Sequence, residues 1–380
     1  MPPIHLDLHH TEDSRDLIHQ AVAAISSGKI VAVPTETVYG LAVSGLIPEA
    51  VDRLLQIKQR SRGNPLPFAV QSFDAALDYV PDMSLLAQRL ARRCWPGPVT
   101  LVLDANHRDS VINRLHPSVI EATIPHGTVG LRVPANEKTL QIMQLCAGPI
   151  LLTSANLSEQ TEATQATEVE QIFGNLIDVI VNDGPCRIGQ PSTVVRVEGN
   201  KSSILREGVV DHATLESMSH FLGLVVCTGN TCRSPMGEAL LRKQMAAKIG
   251  CQPDELEKHR INILSAGISA LPGAPAAPQA NEVMREFGLA IDDHQSQPVT
   301  NRLAHYADII LCMTDRHRQA IVTQWPSLAN RCFTIRADGC DISDPIGAPI
   351  DVYRQCATQI DQEMAAWVDR LDLSEFREIK

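Results

Sequence analysis

Little in this sequence is basic, aromatic or clustered. Lysine and arginine number 33 against 44 aspartates and glutamates, for a formal net charge of -11, and only 4% of residues are aromatic. The deficit is shared, with 17 basic against 23 acidic residues up to Thr214 and 16 against 21 after it. Bulk charge therefore makes neither half a nucleic-acid binder, and any RNA contact has to come from a local cleft. Two runs are candidates: "KQRSR", with Lys58, Arg60 and Arg62, and "QRLARR", with Arg89, Arg92 and Arg93, which reads equally well as a solvated helix face. No stretch of about 18 apolar residues occurs, and the opening "MPPIHLDLHH" has no basic segment leading into an apolar one. Both absences disfavour membrane spanning and export, and the chain reads as cytoplasmic. The ten cysteines contain no C-x-x-C pair, which argues against a zinc site or a thioredoxin-like motif. In a reducing compartment they are free thiols. Internal repeats and low-complexity tracts are also lacking.

What is present is enough for two globular domains. A chain of 380 residues exceeds one usual core, and 44% hydrophobic residues with 24 scattered prolines exclude disorder. Up to about Val210, β-rich runs such as "GKIVAVPTETVYGLAV", "VTLVLD", "PILLTSAN" and "STVVRVEG" alternate with helical patterns such as "PEAVDRLLQIKQR". Strands then give way to the polar, helix-compatible "DHATLESMSH". We expect an α/β domain over 1–210, a linker over 211–220 and a second α/β domain over 221–380. In the second, "HFLGLVV", "INILSAG", "ADIILCMT" and "NRCFTIRA" alternate with helices, which predicts a doubly wound parallel sheet whose ligands bind beyond the strand carboxyl ends.

The segment "LVVCTGNTCRSP" lies at such an end. Cysteine followed six residues later by arginine is weak evidence by itself: ten cysteines and 25 arginines in 380 positions make one chance match unremarkable, and there are two. Cys312 with Arg318 runs from strand to helix without a glycine, so we assign Cys312 to the core. Cys227 with Arg233 differs in context. A strand precedes it, Gly229 lets backbone N–H groups turn toward an anion, and a helix follows, with Ser234 as candidate N-cap and Pro235 at the first helical position. A thiol placed there is held as thiolate, and Arg233 can grip two phosphoryl oxygens with its planar fork.

"VCTGNTCRSPMGEALL", "SAG" at Ser265 to Gly267, "DIILCMT" and "DISDP" resemble the low-molecular-weight protein tyrosine phosphatase family over about Phe221 to Leu373. The resemblance implies Cys227 as nucleophile forming a phosphocysteine, Arg233 as phosphoryl clamp, Asp344 as general acid, Gly229 in the cradle, and Asn230 and Ser234 bracing the loop, without a cofactor. Thr231 and "DPIGAPIDVY" stand where tyrosine-directed members carry a bulky aliphatic residue and aromatics. Bacterial members resembling "CTGNTCRSPM" act on phosphoarginine, so the resemblance implies a protein arginine phosphatase, with tyrosine phosphatase as the alternative. Arsenate reductases share the loop but need a further cysteine pair, and Gln319 stands where the partner of Cys312 would be. Cys232 is either a partner for a protective disulfide with Cys227 or loop packing.

Earlier in the chain, "VPTETVYGL", "KQR", "NPL", "WPGPVT", "TVGLRVP", "TSANLS" and "STVV" occur in one order. Together they resemble the YrdC-like threonylcarbamoyl-AMP synthase family over about Ser14 to Val210, which implies a twisted α/β domain with a large cavity. The implied reaction joins L-threonine, bicarbonate and ATP, with magnesium, and releases pyrophosphate. Its adenylate product passes to a separate transferase for tRNA modification. By resemblance, Lys58, Arg62, Thr128, Asn156, Thr164 and Arg206 contact ATP, Lys58 and Arg60 act in catalysis, and Thr35, Arg132, Ser154 and Ser192 contact threonine. Ala69 departs from relatives that are polar there. Two rivals stand beside this reading: a non-catalytic module binding tRNA or double-stranded RNA, and a carbamoyl-adenylating part of a hydrogenase-maturation enzyme, which normally brings C-x-x-C pairs.

Overall fold

A computed structural model describes residues 1–60, 63–157, 160–373 and 376. The chain forms two compact units, Met1–Glu216 and Ser217–Lys380. Among the described residues no helix is long and apolar enough to cross a membrane.

The first unit is built on ten strands: β1 (Ile4–Asp7), β2 (Val31–Val33), β3 (Gly40–Ser44), β4 (Phe68–Ala69), β5 (Val99–Asp104), β6 (Thr128–Arg132), β7 (Ile150–Ser154), β8 (Val179–Asn182), β9 (Thr193–Glu198) and β10 (Lys201–Arg206). They form one mixed sheet in the order β1-β8-β2-β3-β7-β4-β6-β5-β9-β10. Its central strands show the period of two that sorts side chains between faces. Leu101, Leu103, Val129, Leu131 and Val195 are buried, while the alternate positions Val102, Thr128, Gly130, Arg132 and Val194 line a cavity. β1 escapes sequence reading because only Leu6 of "IHLD" is buried, so its parallel pairing with β8 rests on backbone bonds. The helix Pro48–Ile57 starts with proline in its first turn and ends at Lys58, which is 2% exposed. The solvated-face reading of "QRLARR" fails for Arg89, buried in the helix Leu85–Cys94.

The second unit carries four parallel strands, β11 (Phe221–Cys227), β12 (Ile261–Gly267), β13 (Ile309–Cys312) and β14 (Cys332–Thr334), in the order β12-β11-β13-β14. All seven residues of β11 are buried. Phe221, Val225 and Cys227 join a core with the helices Arg233–Ile249 and Ile350–Arg370, whereas Leu222, Leu224 and Val226 join another with Ala304 and Ile321. Strand order reverses direction at β11, so the end of β11 is where a doubly wound sheet opens its binding crevice.

Candidate active sites

In the second unit, Cys227 ends β11 buried and the chain turns at once. Asn230 takes a left-handed φ of 55°, unusual for a non-glycine residue, and its N–H comes within 3.2 Å of Cys227 Sγ. Gln297 N–H donates to Asn230 Oδ1 at 2.8 Å, which fixes the amide. Asn230 Nδ2 then donates to Ser234 Oγ and Ser265 Oγ, each at 2.9 Å. Having accepted that bond, the Ser234 hydroxyl lies 2.9 Å from Cys227 Sγ, with the Ala266 carbonyl a more distant acceptor at 3.4 Å. Two donors thus converge on one sulfur, the arrangement that suits an anion. Ser265 in turn donates to Glu238 Oε2 at 2.7 Å, and burial pushes the Glu238 carboxyl above its ordinary range.

The helix starts at Arg233 with Cys232 as its N-cap, so Ser234 is not the cap and Pro235 is not the first helical residue. The Ser234 hydroxyl is drawn inward by Asn230 and the sulfur instead of folding back onto backbone N–H groups. Arg233 is 4% exposed; its Nη1 donates to the Ile342 carbonyl at 3.0 Å and its Nη2 pairs with Asp344 Oδ2. Clamp and expected acid therefore adjoin. Gly229 is half-buried, and a Cβ there would meet only Thr231 Oγ1 at 3.7 Å. Thr231 is also half-buried, with Oγ1 3.8 Å from Cys232 Sγ, and Cys232 Sγ lies 3.5 Å from the Tyr353 hydroxyl. The rival pair is core: Cys312 is fully buried 3.7 Å from Cys332 Sγ, and Arg318 Nε donates to the Cys332 carbonyl at 2.9 Å. Gln297 and His294, whose Nε2 lies 2.7 Å from the Asn230 carbonyl, belong to no spacing pattern; single polar residues in loops carry no signal in the sequence.

The first unit holds a cavity of about 840 Å³ on one face of its sheet. Thr35, Lys58, Arg60, Thr128 and Arg132 line it together with Ser154, Asn156, Ser192 and Arg206. Thr164 lies outside the lining, where its N–H meets Glu168 Oε2 at 2.7 Å, and Arg62 lies outside the described residues. Ala69 lines the cavity and offers no polar atom beyond its backbone. Lys58 Nζ donates to the Ser154 carbonyl at 2.6 Å, to Asn156 Oδ1 at 2.8 Å and to the Asn156 carbonyl, fastening the loop after β7. Burial, then the nearby Arg60 charge, lowers its pKa to about 8. Burial also lowers Arg60 and Arg206, whose charges face the same space. Arg206 Nη2 donates to Ser192 Oγ at 3.1 Å and to its carbonyl at 2.7 Å. Arg132 is oriented by Glu36, which the sequence reading does not single out: its Nη2 donates to Glu36 Oε1 at 2.7 Å and to Thr37 Oγ1 at 2.8 Å. Glu162 is the one carboxylate among the described lining residues, so the cavity is a predominantly cationic container.

Comparison with known proteins agrees with this division. Residues 23–208 match the family model Sua5, YciO and YrdC, described as telomere recombination, and residues 224–376 match low molecular weight phosphotyrosine protein phosphatase. The threonylcarbamoyl-AMP synthase of Pyrococcus abyssi is 38% identical over 50% of this chain and 54% of its own length, so the chain spans about half of that relative. The mouse protein of the same name is 30% identical over 57% of this chain and 75% of its own. The protein-arginine-phosphatase of Bacillus subtilis is 37% identical over 37% of this chain and 89% of its own. A probable low molecular weight protein-tyrosine-phosphatase of Ralstonia nicotianae is 36% identical over 39% and 94%. The chain belongs, in its first part, to the Sua5, YciO and YrdC family and, in its second, to the low-molecular-weight phosphotyrosine protein phosphatases, both families of enzymes.

Proposed function

We propose a bifunctional enzyme. The first unit forms L-threonylcarbamoyladenylate from L-threonine, bicarbonate and ATP, with release of pyrophosphate and water, for threonylcarbamoyladenosine modification of tRNA by a separate transferase. The observation that carries this reading is the cavity, whose buried Lys58, half-buried Arg60 and more exposed Arg206 supply positive charge and whose Arg132 offers a carboxylate partner. Electrostatics and positioning dominate nucleotidyl transfer. A single carboxylate, Glu162, makes no protein cage for magnesium, which instead enters as the counter-ion of ATP. Pyrophosphate release that requires both threonine and bicarbonate tests the reading; none in their presence overturns it in favour of an RNA-binding module.

The second unit hydrolyses protein phosphoarginine. Cys227 Sγ attacks phosphorus, the P–N bond breaks, and Asp344 gives its proton to the departing guanidine nitrogen. Water then attacks the phosphocysteine, returns a proton to Asp344 and releases phosphate. The donors converging on Cys227 carry this reading. Identity does not separate arginine from tyrosine, because relatives of both kinds stand at 37% and 36%. Thr231 favours arginine: a hydroxyl accepts from a guanidinium N–H, whereas a phenolic phosphate presents no such donor. Purified protein is expected to prefer phosphoarginine over phosphotyrosine peptides, and Thr231→Ile to narrow that preference. A wild type that hydrolyses phosphotyrosine peptides far better would turn the reading to tyrosine, and an unchanged preference in the variant would remove Thr231 as its cause.

A further inference from the structure

Beside the nucleophile lies a polar pair that the mechanism above leaves unused. Thr228 follows Cys227 directly, and its backbone is held by Ser269 N–H, which donates to the Thr228 carbonyl at 3.0 Å. Its Oγ1 lies 2.9 Å from His317 Nε2. His317 is 3% exposed and sits in the first turn of the helix Asp315–Gln324, where its N–H is capped by Thr314 Oγ1 at 3.2 Å. The other ring nitrogen, Nδ1, is buried and finds no donor or acceptor among the described residues.

The charges that act on the ring are Arg233, Arg316, Asp341 and Asp344. Burial first, and Arg233 second, hold the imidazole down to about 4, so it is neutral at working pH. A neutral imidazole carries one N–H. Placing it on Nδ1 would orphan a buried donor, which proteins avoid more strictly than an unpaired acceptor. The hydrogen therefore sits on Nε2 and is donated to Thr228 Oγ1. With that lone pair taken, the Thr228 hydroxyl hydrogen must point away from the histidine, from an exposed residue on the loop that bears Cys227.

We propose that His317 is a positioning residue of the phosphatase reaction: it fixes the Thr228 hydroxyl as a hydrogen-bond donor to the phosphoryl oxygens next to Cys227. The donor adds to the loop N–H groups and Arg233 as charge builds on the transferring group. This rests on the phosphatase reading of the second unit. Serine at 228 keeps the donor, and valine removes it without changing the shape.

The test joins kinetics on p-nitrophenyl phosphate to 15N NMR of the full chain labelled at histidine. Thr228→Val and His317→Asn are each expected to lower kcat about five- to tenfold with little change in KM, Thr228→Ser to restore it, and the double variant to lose no more than either single one. The NMR spectrum should show His317 Nδ1 as the unprotonated, pyridine-type nitrogen. A pyrrole-type Nδ1, wild-type kcat in Thr228→Val, or additive losses in the double variant would each overturn the proposal. Cys227→Ser is the background control. A wild type that turns over no better than this control would defeat the phosphatase reading itself, while the nitrogen assignment would still decide where the hydrogen sits.

Discussion

The two candidate sites gather their polar groups in opposite ways. In the second unit one strand end, one loop and one helix start bring Cys227, Asn230, Arg233 and Ser234 together within eight residues. In the first, the basic groups come from the end of a helix at Lys58, from β6 at Arg132 and from β10 at Arg206, and only the sheet makes them neighbours. The local site spends its side chains on holding one sulfur. The dispersed site spends them on holding its own walls, since Lys58 Nζ bonds to the end of β7 at Ser154 and to Asn156 in the loop after it. A compact motif concentrates function in few residues, and a dispersed one spreads it over the architecture.

The sharpest way to break this comparison is to remove one group from each site. Cys227→Ser is expected to abolish phosphatase turnover, by about 10³-fold or more, and leave threonine-dependent pyrophosphate release intact. Lys58→Ala should do the converse, lowering pyrophosphate release on the order of 10²-fold through loss of charge and loop anchoring. Losses that cross over in either variant would contradict two separately built sites.

Next in size is Asp344→Asn, expected to slow poor leaving groups by about 10²- to 10³-fold and p-nitrophenyl phosphate much less. Equal losses on both substrates would remove Asp344 as the acid and leave it only as the partner of Arg233.

A smaller effect tests how tightly the loop is held from outside. A Cβ on Gly267 would stand 2.4 Å from the Thr228 carbonyl oxygen and 3.0 Å from Asn230 N, both backbone atoms. Gly267→Ala should therefore cost about 1–3 kcal/mol in urea unfolding of the second unit, with a matching fall in phosphatase activity. Unchanged unfolding would mean that the loop yields.

The smallest effect is in pH. His317 is lowered to about 4 from an ordinary 6.5. Between those values the unfolded chain binds a proton that the folded one does not, so stability falls as pH drops through this window and is unaffected above it. Urea unfolding of wild type and His317→Asn from pH 7 to 4.5 checks this. A slope that survives unchanged in the variant would assign it to other groups.

The same contrast explains what could be read in advance. The strands of the second unit announce themselves because β11 is apolar at nearly every position, and glycine and proline punctuate its loop. Cys227 and Arg233 follow from that context, whereas Asp344, 111 positions beyond Arg233, is reached only through the resemblance. Ser234 was legible as a helix-start residue but not as a partner of sulfur, because capping preference is local and the pull of Asn230 is tertiary. In the first unit, Lys58 and Arg132 were legible through ordered motifs, but Glu36 was not. Its carboxylate orients Arg132 from 96 positions away in the chain, and no period or spacing encodes such a pairing. Thr164 is a polar residue near the motif whose N–H the fold turns toward Glu168, outside the cavity lining.

Asn230 carries a last consequence, one of portability. Its left-handed backbone, its amide and its carbonyl are held by Ser265, Gln297 and His294, from two other places in the chain. The letters "CTGNTCRS" can be copied into any protein, but the cradle cannot. Its curvature is a property of the surrounding unit, and a transplant that leaves those three residues behind carries the nucleophile without the shape that serves it.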